Sequence, residues 1–416
     1  MSKPHALVVG ASIAGPITAY WLARAGFRIT VIERFPKFRK GGQNIDIRTS
    51  GVTVMRKIPG MEAAVRAKTT TQDAIQFVNA QGNQYEIFRD GLSEIICDLT
   101  KDNPNVEYVF GEQVSEMHQE VEDEESKVTV KFKEGKLPAT EYDLVVACDG
   151  ATSRTRAIGF DCDVRTHIHP INMWAAYASI EKDLLNGSKT GTMYTAVGGR
   201  ALAIGPDLSG GNRGCALAVL PQNDPSATLP FRTAQKSGDA ALRAHVREHF
   251  ANTNFHLTDL VPAITSAPDF YASEIVQVKL PSLSRGAFTL TGDAAHAPGP
   301  TGCGTTLALI SSYLLAGELL SHLQPPSSSP LSRGRAIRAA LRSYASLITP
   351  IATSMQKLPP GIPGVIAPQT RWGLWVRDAV LMAAAWGQGV GGKVLGRWAP
   401  SFGGDGSELP EYAWVE

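Results

Sequence analysis

The sequence predicts an α/β chain that opens with a β-α-β dinucleotide-binding unit, carries a mainly antiparallel β region later, and ends in helices. Three observations carry this expectation. A strand–loop–helix pattern, Leu7 to Gly15, begins within a few residues of the N-terminus. A second strand, Ala287 to Thr291, runs into Gly292-Asp293 and is followed by an apolar helix. Between them, from about 166 to 285, strands are separated by Gly/Pro/Asn loops instead of helices, which marks a second domain.

In the opening unit, Val8 and Val9 end an apolar run of strand character. Ile13 opens a helical pattern through Ile17, Tyr20, Trp21 and Leu22 to a C-cap at Gly26. Phe27 to Ile32 forms the next strand and leads into Glu33. Gly10 permits the tight turn and Gly15 permits close helix–strand packing. The first helical turn, with Ser12, Ile13 and Ala14, offers N–H groups to a pyrophosphate. Glu33 stands at the spacing of an acid that binds a ribose hydroxyl. Ser12 occupies the place of the usual second glycine, and this unit by itself leaves NAD and FAD both open.

The chain has 416 residues, enough for two or three domains. Its 43% hydrophobic and 19% charged residues suit a globular enzyme, and a net charge of +1 argues against a dedicated nucleic-acid binder. No signal-peptide pattern fits the N-terminus. The apolar run Ala379 to Trp386 is shorter than the roughly 20 residues that span a bilayer, so no integral membrane segment is expected. Five cysteines, odd in number and without a CxxC pair, argue against a disulfide framework or zinc and for a reducing, cytoplasmic setting.

The remaining elements follow in order. Arg34 to Lys40 is a basic loop, and Gly41 to Arg48 is a turn entering a short strand. Residues 50–68 read as helix, Ala74 to Asn79 and Tyr85 to Phe88 as strands, and Gly91 to Thr100 as helix. Strands are expected at 106–110, 113–120 and 127–133, with the acidic run Glu120 to Glu125 as a solvated bend. Tyr142 to Cys148 is a buried strand with Asp149-Gly150 at its carboxyl end, where ligands of open α/β sheets sit. Strands at 172–180, 192–197, 201–204, 215–220 and 273–280 follow, interrupted by one helix, Ala240 to Phe250. Pro298, Pro300, Gly302 and Gly304 form a loop before the apolar helix Thr305 to Leu320. Pro325 to Pro330 is a connection, and helices follow at about 335–357 and 371–387.

Gly10 to Gly15 with Glu33, then Asp149-Gly150, then Gly292-Asp293 with its Pro/Gly loop, resemble the three FAD motifs of class A (single-component) flavoprotein monooxygenases. These are the aromatic hydroxylases of the p-hydroxybenzoate hydroxylase type. Lys40-Gly41-Gly42-Gln43 with Asp46 and Arg48, and the helix with Ala308-Leu309 and Leu314 to Leu319, are similar to the branch containing the tetracycline-inactivating monooxygenases. The resemblance runs from residue 5 to about 390.

The resemblance implies a Rossmann-like FAD-binding domain of segments 1–70, 88–165 and 286–330, a substrate domain of 71–87 and 166–285, and a bridging C-terminal region, 331–416. Gly10, Ser12 and Gly15 would face the FAD pyrophosphate and Glu33 the adenosine ribose, with Ile13, Ala14, Arg34 and Arg48 as further cofactor contacts. Arg89 would lie by the ribityl or pyrophosphate groups. Asp149 and Gly150 would close the site, Asp293 after Gly292 would bind a ribityl hydroxyl, and Pro300, Gly302 and Gly304 would line the isoalloxazine. NADPH or NADH would dock transiently, reduce the flavin and leave. A C4a-hydroperoxyflavin formed with O2 would then hydroxylate an aromatic or polycyclic molecule, in secondary metabolism or detoxification. No universal catalytic side-chain base is implied. Epoxidation, Baeyer–Villiger insertion, simple oxidation and a non-catalytic flavin protein are the alternatives, and a monomer or weak dimer is expected.

Several residues carry two readings. His296 is either a base or a residue that satisfies backbone groups, and the second is favoured. His167 and His169 are ordinary strand residues unless a third ligand joins them. Trp174, Tyr177, Met193 and Tyr194 pack the core or line an aromatic pocket. Cys148 reads as a small buried hydrophobe. Cys303 would lie near the flavin, where a covalent link is the minor reading. The 77–89 segment is shorter than the resemblance leads one to expect.

Overall fold

The computed structural model describes residues 2–38, 44–48, 50–67, 85–207, 210–253, 258–324, 331–359, 361–379 and 408–414. The chain begins with β1 (His5–Val9), α1 (Ala14–Arg24), β2 (Arg28–Glu33), β3 (Asn44–Ile47), α2 (Ser50–Arg56), α3 (Met61–Ala67), β4 (Tyr85–Phe88), α4 (Arg89–Asp98) and β5 (Val106–Phe110). A meander of β6 (Val114–His118), β7 (Val128–Phe132) and β8 (Thr140–Tyr142) leads to β9 (Leu144–Ala147) and α5 (Arg154–Phe160).

Next come β10 (Ile168–Ile180), β11 (Thr192–Ala196), β12 (Arg200–Pro206) and β13 (Asn212–Val219). Three helices, α6 (Leu229–Lys236), α7 (Asp239–His249) and α8 (Leu260–Ser266), precede β14 (Tyr271–Val278). The chain then forms β15 (Ser284–Arg285), β16 (Phe288–Leu290), α9 (Asp293–His296), α10 (Gly304–Leu323), α11 (Arg333–Met355) and α12 (Ile362–Ile366).

The first sheet has the order β15-β16-β9-β1-β2-β5 and is parallel except for β15. Leu7, Val8, Ile29, Val31 and Leu144 to Val146 are fully buried, as strands covered on both faces must be. From β1 the chain steps to β2 on one side and later returns to β9 on the other. That reversal is the switch point at which α/β sheets bind ligands, beyond the carboxyl ends of their strands. Gly10, Asp149, Gly292 and Glu33 all lie at those ends.

The second sheet, β11-β12-β13-β10-β14, is wholly antiparallel. Its register puts Trp174, Leu202 and Ala216 on one face, where α6 to α8 pack, with Tyr194 against the same core. Tyr177, Cys215, Ala203, Met193 and Tyr271 share the other face. Of the four residues read as a possible aromatic group, Trp174 and Tyr194 therefore belong to the core, and Tyr177 and Met193 remain on the open side. Residues two apart on a strand share a face, and neighbours do not.

Other differences have local causes. Residues 50–67 form two helices, because the turn ending in Pro59-Gly60, with Gly60 at φ +75°, separates them. Among the described residues, three helices, not one, lie between 166 and 285. Strand β8 and helix α5 were not expected. The acidic bend is exposed, as expected, yet it also docks α11: buried Arg338 donates to Val121 O and Asp123 O, each at 2.6 Å, and Arg335 pairs with Glu124 at 3.1 Å. The expected strand 74–79, the loop 80–83, the Lys40–Gln43 segment and the linker 325–330 lie outside the described residues.

Helix α10 is long and apolar enough to cross a membrane, but 78% of its apolar window is buried by protein. It is a core helix packed by α1, α2 and α11, which explains its apolarity on every side. The segment 408–414 straps its outer end. There Tyr313 donates to Pro410 O at 2.8 Å, Tyr412 donates to Glu318 at 2.7 Å, and the tilted rings of Trp414 and Trp21 lie 4.6 Å apart.

Candidate functional site

The loop after β1 is built by close backbone approach. Gly10 has φ +106°, and a Cβ there would lie 2.7 Å from Cys148 O. A Cβ on Gly15 would lie 1.7 Å from Gly10 O, so only glycine lets α1 start against the strand. The N-terminus of α1, at Ile13, has no side-chain cap and no acid in its first turn. The N-terminus of α10, at Cys303, shares both properties. Two uncapped helix starts at one sheet edge supply positive field and N–H donors for an anionic group.

Glu33, the expected ribose ligand, accepts from Ala11 N at 2.8 Å and Phe35 N at 3.0 Å. It thus ties the end of β2 to the glycine loop. Arg34 is exposed, with its guanidinium 4.8 Å from the Phe35 ring centre. Arg48 donates its backbone N–H to Thr306 Oγ1 at 3.0 Å. A Cβ on Gly302 would lie 3.6 Å from Arg48 Nη2, so this arginine meets the Gly302 loop. Arg89 begins α4, and its side chain lies outside the described residues.

Asp149 accepts from Ser153 Oγ, and from Thr155 Oγ1 and N at 2.9 and 3.2 Å. Ser153 Oγ in turn accepts from Arg156 N at 2.8 Å as the N-cap of α5. Arg156 is 1% exposed and spends its guanidinium on three carbonyls: Ala294 at 2.8 Å, Ala151 at 2.9 Å and Val164 at 3.0 Å. It therefore bolts the Asp149-Gly150 turn to α9. Arg156 escaped the sequence reading, although Ser153 and Arg156 stand at cap spacing after Asp149-Gly150.

Gly292 has φ +58°, and a Cβ there would sit 2.6 Å from Ala14 Cβ. Asp293 is exposed at the start of α9, and a Cβ on Gly304 would lie 3.3 Å from its Oδ1. Behind this turn, Thr18 Oγ1 meets Ser312 Oγ at 2.8 Å and Thr291 Oγ1 at 3.2 Å, and Cys148 Sγ meets Thr291 Oγ1 at 3.0 Å. Cys148 is buried as expected but belongs to a hydroxyl cluster, and burial pushes its thiol up to about 12. Cys303 is 2% exposed and has Thr301 O 3.7 Å from its sulfur.

A pair of buried glutamines also escaped the sequence. Gln277 donates to Pro298 O at 3.1 Å and Gln356 O at 2.6 Å. Gln356 donates to Val278 O at 2.8 Å and Ala297 O at 3.1 Å. This clasp joins β14, the loop before Pro300 and the end of α11. No spacing links positions 277 and 356, so only folding reveals it.

Among the described residues no three His, Cys, Asp or Glu side chains gather as a metal site, so His167 and His169 acquire no third ligand. Burial lowers His296 to about 3, and burial with His245 and Arg200 lowers His249 to about 4. His296 is buried and neutral, yet its Nε2 has no hydrogen-bond partner, so it does not satisfy backbone groups through that nitrogen. The unfolded chain takes up a proton near pH 6.5 while folded His249 stays neutral down to about 4. The resulting stability is present above pH 6.5 and is lost as pH falls toward 4. The unfolding temperature should fall across that window. His249→Phe, which keeps a ring beside Trp174 and Phe250, should flatten the slope; an unchanged slope would remove His249 from this account.

A family model described as FAD binding domain matches residues 3–357. The chain belongs to this FAD-binding family. Monooxygenase CTB7 of Cercospora beticola is 30% identical over 439 aligned positions, covering 99% of this chain and 98% of that protein. A flavin-dependent monooxygenase from an unknown prokaryotic organism is 32% identical over 76% of this chain and 82% of its own length. Among solved structures, the tetracycline destructase Tet(55) superposes with a TM-score of 0.71 at 27% identity, covering 99% of both chains. Tet(51) gives a TM-score of 0.74 at 25% identity, covering 91% of this chain and 94% of its own.

The protein is an FAD-dependent monooxygenase of the class A type, and its geometry fits the cofactor. Glycines keep Cβ atoms out of the switch-point edge, and the starts of α1 and α10 carry no side-chain caps.

Proposed function

We propose that this monooxygenase hydroxylates an aromatic or polycyclic small molecule, in secondary metabolism or detoxification. The overall change would be substrate C–H plus O2, NAD(P)H and a proton, giving C–OH, water and NAD(P)+. The observation that carries this reading is the open face of the antiparallel sheet. Tyr177, Tyr271, Met193, Leu217 and Ile275 lie there in register, an apolar and aromatic surface with hydroxyls at intervals. It meets the Pro298–Gly299 turn at Ile171, since a Cβ on Gly299 would sit 2.5 Å from Ile171 Cδ1. Ile366 and Ala367 pack against the Met173 end of this face. The likeness to the tetracycline destructases Tet(51) and Tet(55) supports a polycyclic substrate.

Bound FAD supplies the redox chemistry: electrons from NAD(P)H and activation of O2. The chain's own residues bind, orient and exclude water. Gly10, Ser12, Ile13, Ala14 and Gly15 hold the pyrophosphate, with Glu33 and Arg34 by the adenosine ribose. Arg48, Arg89 and Asp293 reach the ribityl side, Asp149 and Gly150 close the edge, and Pro300, Gly302 and Gly304 line the ring. Residues 166–285 act as the substrate domain and 331–416 as the bridge. Burial raises the Tyr177 phenol well above its ordinary range, so it stays protonated and serves as a donor that orients substrate. No side-chain base is required.

The test is turnover of a phenolic and polycyclic library with FAD-loaded protein, NADPH or NADH, and isotopically heavy O2. The expected product gains one heavy oxygen atom per nicotinamide oxidised. Nicotinamide oxidation at one rate with every compound, all oxygen appearing as hydrogen peroxide, would contradict the proposal.

A further inference from the structure

A cavity of about 390 Å³ lies behind the Pro298 loop, between the end of β14, α9 and the last turns of α11. It shares no lining residue with the expected flavin contacts. Its size falls within the roughly 300–1,000 Å³ usual for small-molecule pockets. The wall is chemically divided. Leu280, Leu283 and Leu358 form an apolar side, and the charged lining groups are Lys279 and Lys357, with no carboxylate among them. Both lysines are exposed, and neither has an ion pair among the described residues.

His296 also lines the cavity. It is 4% exposed, and its Nε2 is buried without a hydrogen-bond partner. An unsatisfied buried ring nitrogen is costly and rare in native interiors. A hydrogen-bonding occupant would remove that cost. Two cations, one orphaned imidazole nitrogen and an apolar wall together select a molecule with one acid group and a short apolar body.

We propose that this cavity is a second small-molecule site that takes an amphipathic monocarboxylate. The acid group lies between Lys279 and Lys357, the apolar body lies against Leu280, Leu283 and Leu358, and the His296 nitrogen gains a partner. Gln277 and Gln356 line the same cavity and clasp Ala297 and Pro298, so occupancy sits one layer behind the loop that leads to the flavin.

The test is calorimetric titration of FAD-loaded protein with octanoate and, in parallel, benzoate. Saturable one-to-one binding is expected for at least one of them, and octanol should bind about tenfold more weakly than octanoate because it lacks the charge. The double variant K279E/K357E should lose about tenfold or more in affinity. Thr353→Trp, which fills the cavity from exposed α11, should abolish binding. Both variants should keep the wild-type flavin content and absorbance spectrum, which shows that they fold. Absence of saturable binding by either acid would overturn the proposal. So would unchanged affinity in both variants, or displacement of the acid by NADPH, which would assign the lysines to the nicotinamide.

Discussion

Gly15→Ala is expected to yield a protein that loses its flavin on desalting and unfolds at a lower temperature. The added Cβ would lie 1.7 Å from Gly10 O and 2.9 Å from Gly10 C, and both are backbone atoms that no rotamer change can move. Helix α1 must then back away from β1, which costs about 1–3 kcal/mol by the general scale of overpacking. The same shift pulls the first-turn N–H groups away from the pyrophosphate, so FAD affinity should fall by about tenfold or more. Gly26→Ala is the matched control. It carries an unfavourable positive φ, +87°, which Gly15 does not, and its Cβ would meet nothing within 4 Å. It should cost about 1 kcal/mol of backbone strain and leave flavin content intact. Measuring flavin per polypeptide after desalting separates the two, and a yellow Gly15→Ala protein with wild-type stability would refute the close-approach argument.

The second large effect is expected at Arg156. Replacing it with Met keeps most of the volume but leaves the carbonyls of Ala294, Ala151 and Val164 without their donor. Each buried, unsatisfied acceptor costs about 1–3 kcal/mol. Some relaxation toward water offsets this, so a loss of about 3–5 kcal/mol is expected, as for other broken buried charge networks. Arg156→Lys should recover part of it, because one ammonium can reach fewer of the three oxygens than a planar guanidinium. Thermal unfolding of the three proteins checks the order wild type, Lys, Met. Equal stabilities for Lys and Met would show that a positive charge alone recovers nothing, and a Met variant as stable as wild type would refute the carbonyl network. The anchoring also joins the Asp149-Gly150 turn to α9, so flavin release should accompany the loss of stability.

Much of this architecture was legible before folding. The β1–α1–β2 unit was readable because local constraints act within about 30 residues: an apolar strand, a glycine turn, an uncapped helix start and a closing acid. Asp149-Gly150 and Gly292-Asp293 were readable for the same reason, each being a turn at the end of a buried strand. Alternation also located all five strands of the second sheet, though it missed α6 and α8, which span only eight and seven residues.

Other features required the three-dimensional arrangement. Pairing Tyr177 and Met193 on one face, and sending Trp174 and Tyr194 to the other, depends on strand register, which a linear reading of aromatic residues does not contain. The glutamine clasp, the Arg156 bolt and the docking of α11 on the acidic bend join positions far apart in the chain. Their partners are mostly backbone carbonyls, which leave no residue-type signature.

By itself, the amino-acid sequence determined a glycine turn after β1 and two further turns, Asp149-Gly150 and Gly292-Asp293, at strand ends in a set order. Those motifs are local, and glycine is required by sterics that operate within each of them. Only the tertiary structure decided which side chains hold those turns together, which sheet face is open, and that a basic, apolar cavity lies behind the flavin loop. Each of these depends on surfaces meeting across the fold, where long-range packing rather than neighbouring residues sets the outcome.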